Sequence, residues 1–196
     1  MKVIFYLISL IPKSFIIIVI DTYIYMKIYK FFNSYKVTKA NLKIAYSDLN
    51  IDDIEKLSKL SIRESLISVY ETFYTWGRRH FFTCSKIFKV KNNFLLKKKL
   101  DEGNGLIAVS IHNRSVDMLL KWINSHITTV SLYKKVKNKH LDRFVKRNRE
   151  HNGALCYETS MLGVRNVLKA LNEKKAICFA ADQVPTRGMG EYITFF

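Results

Sequence analysis

Residues 105–117, G-L-I-A-V-S-I-H-N-R-S-V-D, constrain this chain more than any other stretch. Residues 106–111 form a short, almost wholly apolar run behind a glycine, the pattern of a strand buried on both faces of a parallel sheet. Parallel pairing requires a crossover, and the apolar stretch 118–123 that follows reads as the start of a helix. Downstream, 127–133 and 175–181 read as further strands, with helices expected over 137–151 and 161–171. Strands alternating with helices predict an α/β domain with a largely parallel sheet flanked by helices. Residues 184–190, with Pro185, Arg187, Gly188 and Gly190, read as a mobile loop, and 191–196 as a final strand.

His112 falls where the first strand ends. In open parallel sheets ligands bind outside the carboxyl ends of the strands, so an imidazole there is placed for chemistry. Asp117 follows at the start of the helix. A strand-turn-helix connection can fold its carboxylate back on the ring, fix the tautomer and make His112 a general base toward a hydroxyl. The pattern H-x-x-x-x-D is also satisfied by a polar strand end followed by a helix cap, and alone it does not choose. Asp182-Gln183 ends the strand 175–181, so Asp182 and His112 are expected to project into one crevice.

The chain has 196 residues, 48% hydrophobic and 25% charged, which predicts one domain with a real core and excludes both disorder and a polytopic membrane protein. Its 33 Lys and Arg against 16 Asp and Glu give a net charge of +17. Such an excess calls for an anionic partner: nucleic acid, an anionic bilayer, an acidic carrier protein or a phosphorylated substrate. Cys84, Cys156 and Cys178 match no zinc or redox spacing, so no metal is expected. Cys178 reads as a buried thiol in a reducing compartment. No glycine loop for phosphate is present, and no cofactor is expected.

At the N-terminus, 3–11 and 15–20 are apolar, but Pro12-Lys13-Ser14 and Asp21 interrupt them, short of the roughly 20 residues a clean span needs. Residues 1–35 are expected to form an apolar helical membrane anchor, embedded in the bilayer or lying at its interface. Tyr23, Tyr25 and Tyr29 would sit at headgroup level, with Lys27, Lys30 and Lys36 toward anionic lipid. The alternative is a pair of core helices in a soluble domain. From Ile54, apolar Leu57, Leu60, Leu66, Ile67, Tyr70 and Phe73 predict an amphipathic helix ending near Trp76-Gly77.

In order, the chain carries N-L-K-I-A-Y at 41–46, H-x-x-x-x-D at 112–117, Leu132-Tyr133, Asn138 with Leu141-Asp142 and a downstream Arg149, then Asp182-Gln183, a Pro/Gly/Arg loop and Phe195-Phe196. This ordered set resembles the lipid A biosynthesis acyltransferase family, the late acyltransferases of lipopolysaccharide assembly. The resemblance covers essentially the whole chain and implies a glycerolipid-acyltransferase-like fold over 36–196 behind the anchor. It also implies transfer of a fatty acyl chain from acyl carrier protein to a hydroxyl of a phosphorylated lipid A precursor, at the cytoplasmic face of a bacterial inner membrane. His112 and Asp117 would be catalytic, and Arg149, Asp182, Gln183 and Arg187 would bind substrate. Two departures are visible. The acidic partner is Asp where the family mostly has Glu and its glycerolipid relatives have Asp. The family also continues beyond the strand ending here at Phe196, so the C-terminal part of its domain is expected to be missing. Competing readings are an acyltransferase for another lipid acceptor, an inactive remnant, and a non-enzymatic basic protein binding membrane or nucleic acid, the last disfavoured because electrostatic binding needs no strand-end His and Asp.

Overall fold

The computed structural model describes residues 2–87 and 89–182. The chain divides into two compact units, Met1–Phe88 with Arg114–Leu119, and Lys89–Asn113 with Leu120–Phe196.

The first unit is helical: α1 (Lys2–Leu10), α2 (Lys13–Tyr25), α3 (Asn33–Ala45), α4 (Ile51–Gly77) and α5 (His80–Cys84), with a 3-10 turn at Ile28–Phe31. Its axis is α4, the amphipathic helix that the sequence predicts. The Asn50 side chain caps it by accepting from the Asp53 amide at 2.9 Å, and Asp52 and Asp53 sit in the first turn, where the helix dipole favours them. Ile54, Ser58, Ile62, Ile67, Tyr70 and Thr75 lie on its buried face. Leu60, expected inside, is 54% exposed because it falls off that stripe. Ile20 and Ile24 of α2 pack with Tyr29, Tyr35, Ile62 and Ile67 into one cluster. Burial of each such aliphatic side chain contributes about 1.5–3 kcal/mol. Phe5 of α1 meets the rings of Phe73 and Trp76 edge-on, at 5.2 and 5.6 Å. Asp21, which interrupts the apolar run in sequence, is paired with Arg63 at 2.6 Å.

Helices α1 and α2 therefore bury inner faces against α4, yet Val3, Ile4, Leu7, Phe15, Ile18 and Val19 remain exposed. No single helix among the described residues is long and apolar enough to cross a membrane. Taken together α1 and α2 pass that test, bent by 88° at Pro12.

The second unit is an α/β sheet: α6 (Phe94–Asp101), β1 (Leu106–Ser110), α7 (Val116–His126, whose first turn belongs to the first unit), β2 (Thr129–Tyr133), α8 (Lys139–Arg149), β3 (Leu155–Glu158), α9 (Met161–Asn172) and β4 (Ala176–Ala180). The four strands are parallel in the order β1-β4-β2-β3. Strand β3 and helix α6 were not read from sequence: four residues are too few for a periodicity, and the lysines of α6 mask Leu96 and Leu100, which face the core. The expected strand 191–196 lies outside the described residues.

One face of the sheet is covered by α6 and α7, through Leu100, Leu120 and Ile123, with Ile127 just past α7, over Leu106, Ala108, Ala176 and Cys178. On the other, Val167, Ala170 and Leu171 of α9 cover Val130, Leu132 and Ile177. The expectation that 106–111 is buried on both faces is corrected here. Among the described residues β1 is at the edge of the sheet, α9 lies over β2, β3 and β4, and Ile107 and Val109 are 50% and 61% exposed. The buried Cys178 and the parallel α/β class are as expected.

Helix α9 approaches the sheet closely at Gly163. Ser160 caps the helix by accepting from the Gly163 amide at 3.1 Å, and a Cβ on Gly163 would overlap the Glu158 carbonyl. Gly163→Ala is expected to destabilise the second unit by about 1–3 kcal/mol, because a backbone clash outweighs the ~1 kcal/mol gain in helix propensity. Urea unfolding followed at Trp122 checks this, and a rise in midpoint would refute it.

Candidate active site

The parallel register builds the site. β1 and β4 are neighbours with Ser110 opposite Ala180, and the Ala181 amide still donates to the Ser110 carbonyl at 2.9 Å. Two residues past the last pair, His112 and Asp182 leave the sheet abreast. His112 Nδ1 lies 2.8 Å from Asp182 Oδ1, and the His112 backbone N–H donates to Asp182 Oδ2, also at 2.8 Å. A carboxylate only accepts, so the proton is on Nδ1 and the Nε2 lone pair is left to act as a base. Nε2 has no hydrogen-bond partner among the described residues, and the side chain is about half exposed. The imidazole hydrogen bond, followed by that from the backbone amide, holds the Asp182 carboxyl below the usual carboxylate range.

His112 and Asp182 are thus brought together, as the strand ends predicted. The spacing reads Asp117 as the carboxylate that fixes the tautomer, whereas the carboxylate that meets Nδ1 is that of Asp182. Sequence separation gave no means of weighing a residue 70 positions away, whereas β1-β4 adjacency does. Asp117 lies in the first turn of α7, in the first unit. Gln183 and Arg187 lie outside the described residues.

Arg149 is not brought to His112. The crossover from β2 returns the chain to the start of parallel β3, and Arg149 is the last residue of α8, about 16 Å along that helix from its beginning. Its carbonyl accepts from Asn124 Nδ2 at 3.3 Å, and Asn124 Oδ1 in turn accepts from Thr129 at the amino end of β2. The other residues of that motif pin the helix. The Asn138 side chain accepts from the amides of His140 and Leu141, and Asp142 accepts from the Val136 amide at 2.9 Å and from the Tyr133 hydroxyl at 3.3 Å. Burial, with the Asp142 charge beside it, pushes the Tyr133 phenol up to about 12.

Within the first unit a cluster missed in the sequence holds the segment that follows His112-Asn113. Glu71 of α4 is buried and accepts from Arg114 through Nε at 3.0 Å and Nη2 at 2.8 Å, from Lys13 at 2.7 Å and from the Ser115 hydroxyl. Arg114 also pairs with Glu64. Burial pushes the Glu71 carboxyl up, and the hydrogen bonds from Arg114, Lys13 and Ser115 outweigh it, bringing it down to about 2. One signal was legible: a carboxylate between Tyr70 and Phe73 on a buried stripe requires cationic partners. The same unit holds a cavity of about 620 Å³ at the break between α1 and α2, walled by Leu10, Ile11, Tyr70 and Tyr74 and edged by Lys13 and Arg78.

Among the described residues no cluster of His, Cys, Asp and Glu is arranged to hold a metal. The arrangement at the strand ends can take a proton from a hydroxyl through Nε2 while Asp182 stabilises the imidazolium.

The family model for bacterial lipid A biosynthesis acyltransferases matches residues 2–196, essentially the full chain. The chain belongs to this family. Curated proteins give no match. Membership makes it an acyltransferase by family and bacterial lipid A assembly its setting, with an acyl donor and a glycolipid acceptor in general terms.

Proposed function

We propose that this chain transfers a fatty acyl group from the thioester of acyl carrier protein to a hydroxyl of a lipid A precursor, with His112 as general base. The observation that carries the reading is the His112 ring held through Nδ1 by Asp182, with Nε2 unpaired among the described residues, at the carboxyl ends of β1 and β4. Nε2 takes the hydroxyl proton as the acceptor oxygen attacks the thioester carbon. The C–O bond forms, the C–S bond breaks, and the imidazolium returns the proton to the departing thiolate. A thioester is activated enough that this route needs no metal and no covalent enzyme intermediate. Asp182 fixes the tautomer and balances the imidazolium charge. Asp117 keeps the supporting role implied by the H-x-x-x-x-D pattern.

The exposed apolar faces of α1 and α2, with Tyr25 and Phe31 each over 80% exposed, support interfacial anchoring of residues 1–35 at the cytoplasmic face of the inner membrane. The cavity beside Pro12 has the volume and apolar lining that suit a lipid chain. The net charge of +17 attracts an acidic carrier, a phosphorylated glycolipid and an anionic bilayer alike.

The test is acyl transfer by the purified protein in detergent, read by mass spectrometry of the acceptor. The expected product is a lipid A precursor heavier by one acyl group and dependent on acylated carrier protein. A second reading, a glycerolipid acceptor, is favoured by the aspartate at position 117. Product with lysophosphatidic acid but none with the lipid A precursor would decide for it, and no product with either would overturn both.

A further inference from the structure

Helix α8 carries an exposed row of cations, Lys139, Arg143 and Arg147, at positions i, i+4 and i+8. Successive members stand about 6 Å apart along the axis on one side of a helix. None of the three has an ion-pair partner among the described residues, and exposed Lys134 and Lys137 precede the row without one. The nearby carboxylates are already engaged: Asp142 is buried on Val136 and Tyr133, Glu150 pairs with Lys146, and Glu158 pairs with Lys135. An unscreened row of this kind on a rigid element costs self-repulsion and is relieved by a complementary surface.

Its position relates it to the site. Five residues separate α8 from β2, and the Val136–Asp142 bond holds its first turn at the carboxyl edge of the sheet. β2 is the neighbour of β4, whose end carries Asp182, so the strand that leads into the row lies one strand spacing, about 5 Å, from the strand of the proposed site. From there the row runs away from His112 for the length of the helix.

We propose that Lys139, Arg143 and Arg147 are the docking surface for the acidic protein that carries the acyl thioester. The proposal rests on the acyl-transfer reading above and assigns its donor a place. Lipid is the other anionic candidate, and the side chains decide against it. A face that settles on a bilayer presents apolar residues between its cations, whereas on α8 Val145 is buried and Leu141 and Phe144 are turned partly inward. Exposed apolar side chains of the kind a bilayer takes up are present on α1 and α2, at Val3, Ile4, Leu7, Phe15, Ile18 and Val19. A purely cationic row at helical spacing complements carboxylates at the same spacing on a partner helix, which steers encounter and sets orientation.

The test compares wild type with Lys139→Glu/Arg143→Glu/Arg147→Glu, and with the triple alanine variant as a guard against misfolding. KM for acylated carrier protein is expected to rise about tenfold or more with kcat unchanged, and its salt dependence to flatten. Kinetics with the same acyl group on pantetheine alone are expected to stay as in wild type. Equal losses on both donors, or no loss on either, would overturn the proposal. So would an unchanged KM for the carrier together with lost sedimentation on phosphatidylglycerol vesicles. Fluorescence anisotropy of labelled, unacylated carrier protein separates this proposal from the reading beneath it. If wild type transfers nothing, weaker carrier binding by both triple variants still upholds the surface, and equal binding overturns it.

Discussion

Asp182→Asn is expected to lower kcat for acyl transfer by about 100-fold or more, and His112→Ala to lower it at least as far, since a positioned general base contributes about 10²–10⁴. The asparagine side chain has nearly the same shape, but only its carbonyl oxygen can accept. Asp182 accepts twice, from the ring Nδ1 and from the His112 amide. In the variant one of those donors faces an NH₂ group, so the ring loses either its fixed tautomer or its anchoring, and the imidazolium loses its counter-charge in both cases. The pH dependence follows from the sign of the shift. The Asp182 carboxyl lies below its ordinary range, so the ionised pair persists where a free aspartate would take a proton, and its contribution disappears only as pH falls through that depressed value. The check is a kcat profile for wild type, Asp182→Asn and Asp117→Asn, with thermal unfolding as a control. Should Asp117→Asn prove far more damaging than Asp182→Asn, the carboxylate that serves the base would be the one chosen by spacing, and the strand-end pairing would be incidental.

These two aspartates mark where sequence reading reached its limit. That His112 and Asp182 end parallel strands could be read from two apolar runs, 106–111 and 175–181, because a run of that length bounded by polar residues has few other folds available. That the two strands are adjacent could not be read: β4 inserts between β1 and β2, an order that depends on how α7 and α9 pack rather than on any local pattern. The burial of β1 was misjudged for the same reason, since an apolar run states that a strand can be covered on both faces and not that helices are present to cover it. Asn138 and Asp142 show the reverse case. Their spacing was visible as part of a family pattern, and only the contacts reveal that they cap and brace α8. Arg149, in the same pattern, then lands at the far edge of the sheet simply because a crossover must return.

Glu71→Leu is expected to cost the first unit about 3 kcal/mol. Breaking a buried ion pair by removing one partner costs about 3–5 kcal/mol, because the remaining charge is left in a poor solvent. The low end applies here: the Glu71 side chain is 10% exposed, but Arg114 and Lys13 are 37% and 49% exposed and can turn partly to water. Three groups converge on this carboxylate from α2 and from the segment before α7, so the loss loosens both attachments to α4 together. Arg114→Lys is expected to recover little, since a single ammonium cannot make the two-pronged contact that Nε and Nη2 make. In the double variant Glu71→Leu/Arg114→Met the effects should fall well short of additive, because the second change removes the charge that the first stranded. The two tryptophans, Trp76 and Trp122, lie one in each unit, so urea unfolding of these variants in a Trp122→Phe background reports on the first unit alone. The same signal carries the pH test. With Glu71 held at about 2, its stabilisation is complete above the ordinary glutamate range and is lost as pH falls from about 4.5 toward that value. A midpoint that does not move between wild type and Glu71→Leu, or a wild-type stability flat across that interval, would mean that the cluster contributes nothing to holding α2, α4 and the segment before α7 together.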